Sequence, residues 1–547
     1  MGRAILLPSS CHEVVGQGMV AGVEIDYNYG ASAEDMAETI FGEGVTVTGA
    51  SYTGDNLSSA IYSDEDGVAE NVLPGSEGVI LSTGFAGYFT NNSSESNLSG
   101  SRSWDSGGVD NNADFNAVAG QTTYDASYLD VSFTSEGDTL TMQFVFASDE
   151  YPEFTNSIYN DVVAVWINGS YVPMAVGDGN ASVTTINGTD TLNLYKDNTE
   201  DQFNTEMDGF TVTMSLTIPV IPTTDPNDPQ VNTIRIGIAD ASDSGYDSNV
   251  IIGGGSVQSV MVANDDDASI FTGGTKTLDV LSNDDNAAAG IVEVTHINGV
   301  PVDIGDTVIL PTGQKITLQN DYTFFVEATS DEGDVVFTYS VVNEDGVTDT
   351  AFVTLDTIPC FVAGTLILTP DGERRIDELE VGDLVMTHDG GPQPIRWIGT
   401  RTIPAAGRFA PIRIAAGALG DHRQLLVSPQ HRVLIRDTLS ELLFGEAEVL
   451  VSAKHLVNDR TIRPEVGGFV TYVHMLFDRH EVVFSEGLAT ESFLPGPQTS
   501  ECFDKEVLDE ICALFPELDP ATGDGYSPAA RRTLRAFEAQ LLLERAA

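Results

Sequence analysis

The chain has 547 residues, 41% of them hydrophobic, with 24 Lys/Arg against 83 Asp/Glu and a formal net charge of −59. That length calls for several domains, each with its own core. That charge argues against nucleic acid and anionic membranes as partners, and favours divalent cations or basic surfaces.

The charge is uneven. Residues 1–359 hold 6 Lys/Arg and 55 Asp/Glu (−49), and residues 360–547 hold 18 and 28 (−10), so the break falls at Cys360. Four cysteines, Cys11, Cys360, Cys502 and Cys512, are too few for a disulfide framework in a chain this long. No run approaches the roughly 18 apolar residues of a membrane span. An acidic, Asp-rich surface suits an extracellular or cell-surface setting, where calcium fills weak sites.

In chain order, residues 1–43 read as an N-terminal leader with one short helix. The opening MGRAILLPSS has a four-residue apolar run, too short for a secretory signal, so export would proceed without a recognisable N-terminal signal peptide. Residues 44–260 show short β-runs between Gly/Asn/Asp/Ser turns, which predicts a β-sandwich. TLTMQFVFAS (139–148) and NDVVAVWING (160–169) read as central strands, and NTIRIGIAD (232–240) alternates. The 86–128 stretch is polar and reads as loop-rich. Residues 261–357 form a second, Ig-like β module, with a turn at Pro311–Gly313 and a hairpin closing at Asp345–Gly346. In that hairpin Phe337, Tyr339 and Val341 alternate on one side, and Ala351, Val353 and Leu355 on the other. From 360 the chain is again β, with turns at Pro370–Gly372 and Asp389–Gly391. Residues 501–547 read as a helical tail, because Leu508, Ile511, Cys512 and Phe515 share a face, as do Leu534, Phe537 and Leu541. Cys512 then packs as a small apolar residue. The fold class is mainly β and multidomain, with short C-terminal helices.

Cys360 opens a domain directly after Pro359. A structural thiol needs nothing further, whereas a nucleophile needs an acid–base group. Six of the eight histidines follow it. Ser428, Pro429 and His431 lie in LLVSPQHRVLI (425–435). His474, Asp478 and His480 lie in YVHMLFDRHEVVFSEG (472–487). With CFVAGTLILTPDGERRIDELEVGDLVMTHDG (360–390), these blocks resemble the Hint family of hedgehog and intein autoprocessing domains, over residues 360–500. The resemblance implies an all-β horseshoe, with catalytic roles for Cys360, His431, Ser428 and His480 and a scissile bond between Pro359 and Cys360. Cys360 would attack the Pro359 carbonyl in an N-to-S acyl shift. His431 would protonate the leaving amine. Ser428 would offer its hydroxyl to the scissile peptide or the tetrahedral oxygen, and His480 would assist thiol deprotonation or the second step. This chemistry needs no cofactor. EGLATESFLPG (486–496) lacks the His-Asn pair of inteins, so splicing is not expected. An acceptor nucleophile, water, lipid or amine, would resolve the thioester.

The passenger, 44–260, resembles the bacterial choice-of-anchor L domain through GVILSTGFAGYF (78–89), FVFASDEYPEF (144–154), MDGFTV (207–212) and IGIADASDSGYDSNVII (236–252). The next module resembles the cadherin-like or Ig-like repeats of exported adhesins. Oxygen ligands for Ca²⁺ are expected among Asp149 and Glu150, among Asp240, Asp243 and Asp247, and among Asp265, Asp266 and Asp267. Function is then expected to be that of an exported surface or matrix protein maturing by self-cleavage, with a cell-surface or matrix ligand. The alternative is a non-enzymatic, calcium-stabilised adhesin with an inert Hint-like domain. A toxin architecture is disfavoured, because the residues after the Hint-like part carry no nuclease or peptidase motif.

Overall fold

The computed structural model describes residues 11–12, 19–155, 159–176, 179–180, 186–188, 191–225, 227–270, 275–287, 290–329, 335–356, 360–405, 410–436, 440, 446–458, 460–494, 515, 527, 529–534 and 539. The chain is mainly β and divides into two compact units. The first comprises residues 1–266, 277–326 and 335–354, and the second residues 267–276, 327–334 and 355–547.

In the first unit an eight-stranded sheet and a five-stranded antiparallel sheet enclose the main core. Every second residue turns inward: Leu129, Val131 and Phe133; Phe144 and Phe146; Ile234, Ile236 and Ile238; Val250 and Ile252. The strand Thr139–Ser148 is buried at nearly every position because both its faces are covered. Phe144 and Phe146 face the main core, while Val145 and Ala147 join a second cluster with Tyr62, Phe89 and Phe210. The predicted strands at 160–169 and 232–240 are Val162–Ile167 and Val231–Ala241, paired with each other.

Residues before 44, expected as a leader, contribute to this sandwich. The strand Asp26–Asn28 pairs with Ser59–Ser63. The helix Ala33–Ile40 starts at a Ser32 capping box and buries Met36, Ala37 and Ile40 in the main core. The polar 86–128 stretch is mostly loop, with a 3₁₀ turn at Ala86–Tyr88 and a helix at Ala113–Ala119.

In the second β module, Thr307–Ile309 and Lys315–Leu318 form the hairpin predicted around Pro311–Gly313, with Gly313 at φ 93°. The strands Val335–Asn343 and Thr348–Asp356 neighbour each other in one sheet, and their alternating residues Phe337, Tyr339, Val341, Ala351, Val353 and Leu355 are buried.

The second unit has a six-stranded and a nine-stranded sheet. In the six-stranded sheet the short strand Phe361–Val362 lies between Leu425–Val427 and Phe469–Leu476. Of the predicted helical tail, Leu508, Ile511, Cys512, Phe537 and Leu541 lie outside the described residues. The described part includes a strand instead: Arg532–Thr533 pairs parallel with Glu448–Ser452, and Leu534 follows it, buried.

Candidate functional site

Strand register builds the site. Phe361 pairs antiparallel with Val473 on one side and Val427 on the other. Stepping back one residue sets Cys360 opposite His474 and opposite Ser428, so neighbours from two different strands converge on one residue. Cys360 is buried, and its thiol is in no disulfide. Its Sγ lies 3.4 Å from His474 Nε2. Its amide N–H donates to Ser428 Oγ at 2.8 Å, and its carbonyl accepts from the Ser428 N–H at 3.0 Å.

Ser428 opens a turn, in which the His431 N–H donates to the Ser428 carbonyl at 3.1 Å. Pro429 sits second in it, where its fixed φ suits the bend. The turn delivers His431 edge-on to Phe361, ring centroids 4.3 Å apart. His431 is buried, and neither ring nitrogen has a hydrogen-bond partner among the described residues. Burial pushes its pKa down to about 4; Glu491 works against that, and Arg432 and His480 with it. His431 is therefore neutral at physiological pH. It keeps one donor and one acceptor uncommitted in a dry setting, an arrangement that costs stability unless the groups are used.

His480 stands elsewhere than expected. Its Nδ1 accepts the Ala530 N–H at 2.9 Å, and its Nε2 lies 3.2 Å from the Ser492 carbonyl and 3.4 Å from Glu491 Oε2. With both nitrogens engaged, His480 belongs to a buried network with Glu491 and Arg432, whose guanidinium meets Glu491 at 3.2 Å. The imidazole at the thiol is His474, in the same sequence block but singled out only by the strand register. Asp478 is exposed and paired with Arg396 at 2.7 Å. Pro359 lies outside the described residues.

The eight expected cation ligands separate. Asp149, Glu150, Asp240 and Asp247 are buried. Asp243 is exposed, and its Oδ1 accepts the Gly245 N–H. Asp265 is exposed and accepts the Phe352 N–H at 3.0 Å, and Asp266 is half-buried. The Asp267 side chain lies outside the described residues. Two buried carboxylates that sequence reasoning passed over, Asp125 and Asp161, join the first four.

A family model described as the Hint domain matches residues 359–497, and one described as the choice-of-anchor L domain matches residues 25–258. Among solved structures the chain is similar to a bacterial intein-like domain from Clostridium thermocellum, at 16% identity over 24% of this chain and 97% of that one (TM-score 0.18). It is also similar to the MchDnaB-1 intein (N145AA), at 14% identity over 24% and 98% (TM-score 0.18), and to the gp41-1 intein, at 13% identity over 24% and 97% (TM-score 0.16). No curated protein matches the chain. Among the described residues no helix is long and apolar enough to cross a membrane.

Proposed function

The chain joins a choice-of-anchor L domain to a Hint domain of the autoprocessing type, and from that premise we propose that it cuts its own backbone between Pro359 and Cys360. The observation that carries this reading is the setting of Cys360, with an imidazole at its sulfur and a hydroxyl at its amide nitrogen.

His474 Nε2 takes the thiol proton, and Cys360 Sγ attacks the Pro359 carbonyl carbon. The tetrahedral intermediate collapses by breaking the bond to the Cys360 nitrogen, which must gain a proton to leave as an amine. The Ser428 hydroxyl, already on that nitrogen's hydrogen, holds the peptide in place for this transfer. That proton is the one His474 took from the thiol, which leaves its ring neutral again, while neutral His431 donates a hydrogen bond from its N–H toward the reacting peptide. The product is a thioester between Pro359 and Cys360. Water, an amine or a lipid hydroxyl then attacks it, releasing the Cys360 thiol, now with a free α-amine. Residues 486–496 lack the His-Asn pair of splicing domains, so the reaction ends there.

The passenger is a surface or matrix protein in this reading, supported by its choice-of-anchor L domain and its acidic surface. Intact mass of the chain before and after dithiothreitol, beside Cys360→Ala, tests the cleavage. A fragment ending at Pro359 from the wild type alone is the expected result. Two folded, full-length proteins would leave the second unit as a structural cap.

A further inference from the structure

One end of the choice-of-anchor L sandwich gathers carboxylates. Ser148 pairs with Ser248 where one strand ends and the other begins, so Asp149, Glu150 and Asp247 emerge together. In the facing sheet Ala239 pairs with Val162 and Asp240 with Tyr124, which brings in Asp161, Asp240 and Asp125. None of these six residues is more than 2% exposed.

Three of them are hydrogen-bonded on one oxygen only. The Ala241 N–H donates to Asp161 Oδ1 at 3.1 Å, the Trp104 N–H to Asp247 Oδ1 at 2.8 Å, and the Ser106 hydroxyl to Asp125 Oδ1 at 2.8 Å. The other oxygens, Asp161 Oδ2, Asp247 Oδ2 and Asp125 Oδ2, have no hydrogen-bond partner among the described residues, and neither has Asp240 Oδ1. The Asp161 and Asp240 carboxyls lie within hydrogen-bonding reach of each other. Ionised, they are two acceptors with no donor between them, so a proton or a cation must stand there. Asp247 Oδ2 comes so close to Gly84 that a Cβ at 84 would collide with it. Arg102 faces the cluster as a cation, but Glu206 takes its guanidinium at 2.9 Å.

We propose that Asp161, Asp240 and Asp247, with Glu150 beside them, bind one Ca²⁺ at this end of the sandwich. The donors are hard oxygens in irregular array, which suits the 6 to 8 oxygen ligands at about 2.3–2.6 Å that calcium accepts and not the strict octahedron of magnesium. No three His, Cys, Asp or Glu side chains among the described residues stand already grouped as a ligand set. Binding therefore exchanges the proton shared by Asp161 and Asp240 for the cation, and draws Asp247 Oδ2 inward. Burial among like charges supports this, pushing Glu150 up to about 10, Asp247 to about 7, and Asp161 and Asp240 well above the carboxylate range.

The test is calorimetric titration of the chelator-treated full chain with CaCl2, in buffers of different ionisation enthalpy. About 150 mM salt screens the diffuse binding expected of so acidic a surface. The wild type is expected to show one saturable site, proton release on binding and a raised melting temperature. Asp240→Asn is expected to lose that site and, in chelator, to melt no lower than the wild type, because a buried repulsion has gone. Asp161→Asn is a second variant should the first not fold. Asp243→Asn, at an exposed carboxylate, is expected to titrate like the wild type. No saturable site in the wild type, or wild-type titration by both Asp240→Asn and Asp161→Asn, would overturn the proposal.

Discussion

Glu491 in the second unit and Asp247 in the first are both buried carboxylates, and they behave oppositely. Burial raises the pKa of each. Around Glu491, Arg432 and the hydrogen bond from His480 outweigh burial and hold it down to about 2. Around Asp247, burial is joined by Asp125, and the Trp104 N–H and Arg102 offset only part of it, leaving a value of about 7. One unit supplies its own counter-charge, and the other waits for a proton or a metal. Buried charge is therefore balanced by neighbouring side chains in the second unit, and in the first unit it is balanced by the bound cation in our proposal.

The largest expected effect is on chemistry. His474→Ala, which removes the imidazole from the thiol, is expected to slow cleavage by about 10²- to 10⁴-fold, read as the rate of fragment appearance. His480→Gln, by contrast, should act mainly through stability, because its ring touches the Glu491 network and not the sulfur. Equal rate losses in two equally stable variants would erase the distinction between these histidines.

Next is the scaffold. Glu491→Ala strands Arg432 and His480 without their carboxylate and should cost about 3–5 kcal/mol in denaturant unfolding of the second unit. A cost under about 1 kcal/mol would mean that water, not Glu491, balances Arg432.

Stability against pH sharpens the comparison further. The folded-state values of Asp125 (about 6), Asp247 (about 7) and Glu150 (about 10) are raised. Folding stability from these groups is thus complete below the ordinary carboxylate range near 4 and is lost as pH rises through 6 to 10. In chelator the first unit should melt at least about 5 °C lower at pH 8 than at pH 5, and Ca²⁺ should remove most of that fall. Glu491 has the reverse sign: its contribution is present above pH 4.5 and lost as pH drops toward 2. The smallest effect belongs to the exposed Arg396–Asp478 pair, where Asp478→Ala should change stability by less than about 1 kcal/mol.

Much of this was legible in sequence. The apolar run 139–148 and the alternation at 232–240 marked strands because burial on two faces or one leaves different periodicities. The three Hint-like blocks located Cys360, Ser428 and His431. The choice between His474 and His480 was not legible, because it depends on Phe361 pairing with Val473. Asp161 and Asp125 were passed over for the same reason: one precedes a strand and the other lies inside one, both far in sequence from Asp240, and only the sheets bring them together. Counting acidic neighbours along the chain favoured Asp243 and Asp265, which solvent covers.

The most direct test of the central claim is hydroxylamine trapping of the purified chain, with intact mass of both products. Cleavage through a Cys360 thioester gives a 1–359 fragment carrying a C-terminal hydroxamate and a second fragment beginning with a free Cys360 amine, both absent in Cys360→Ala. Full-length protein throughout, with the fold intact, would contradict it.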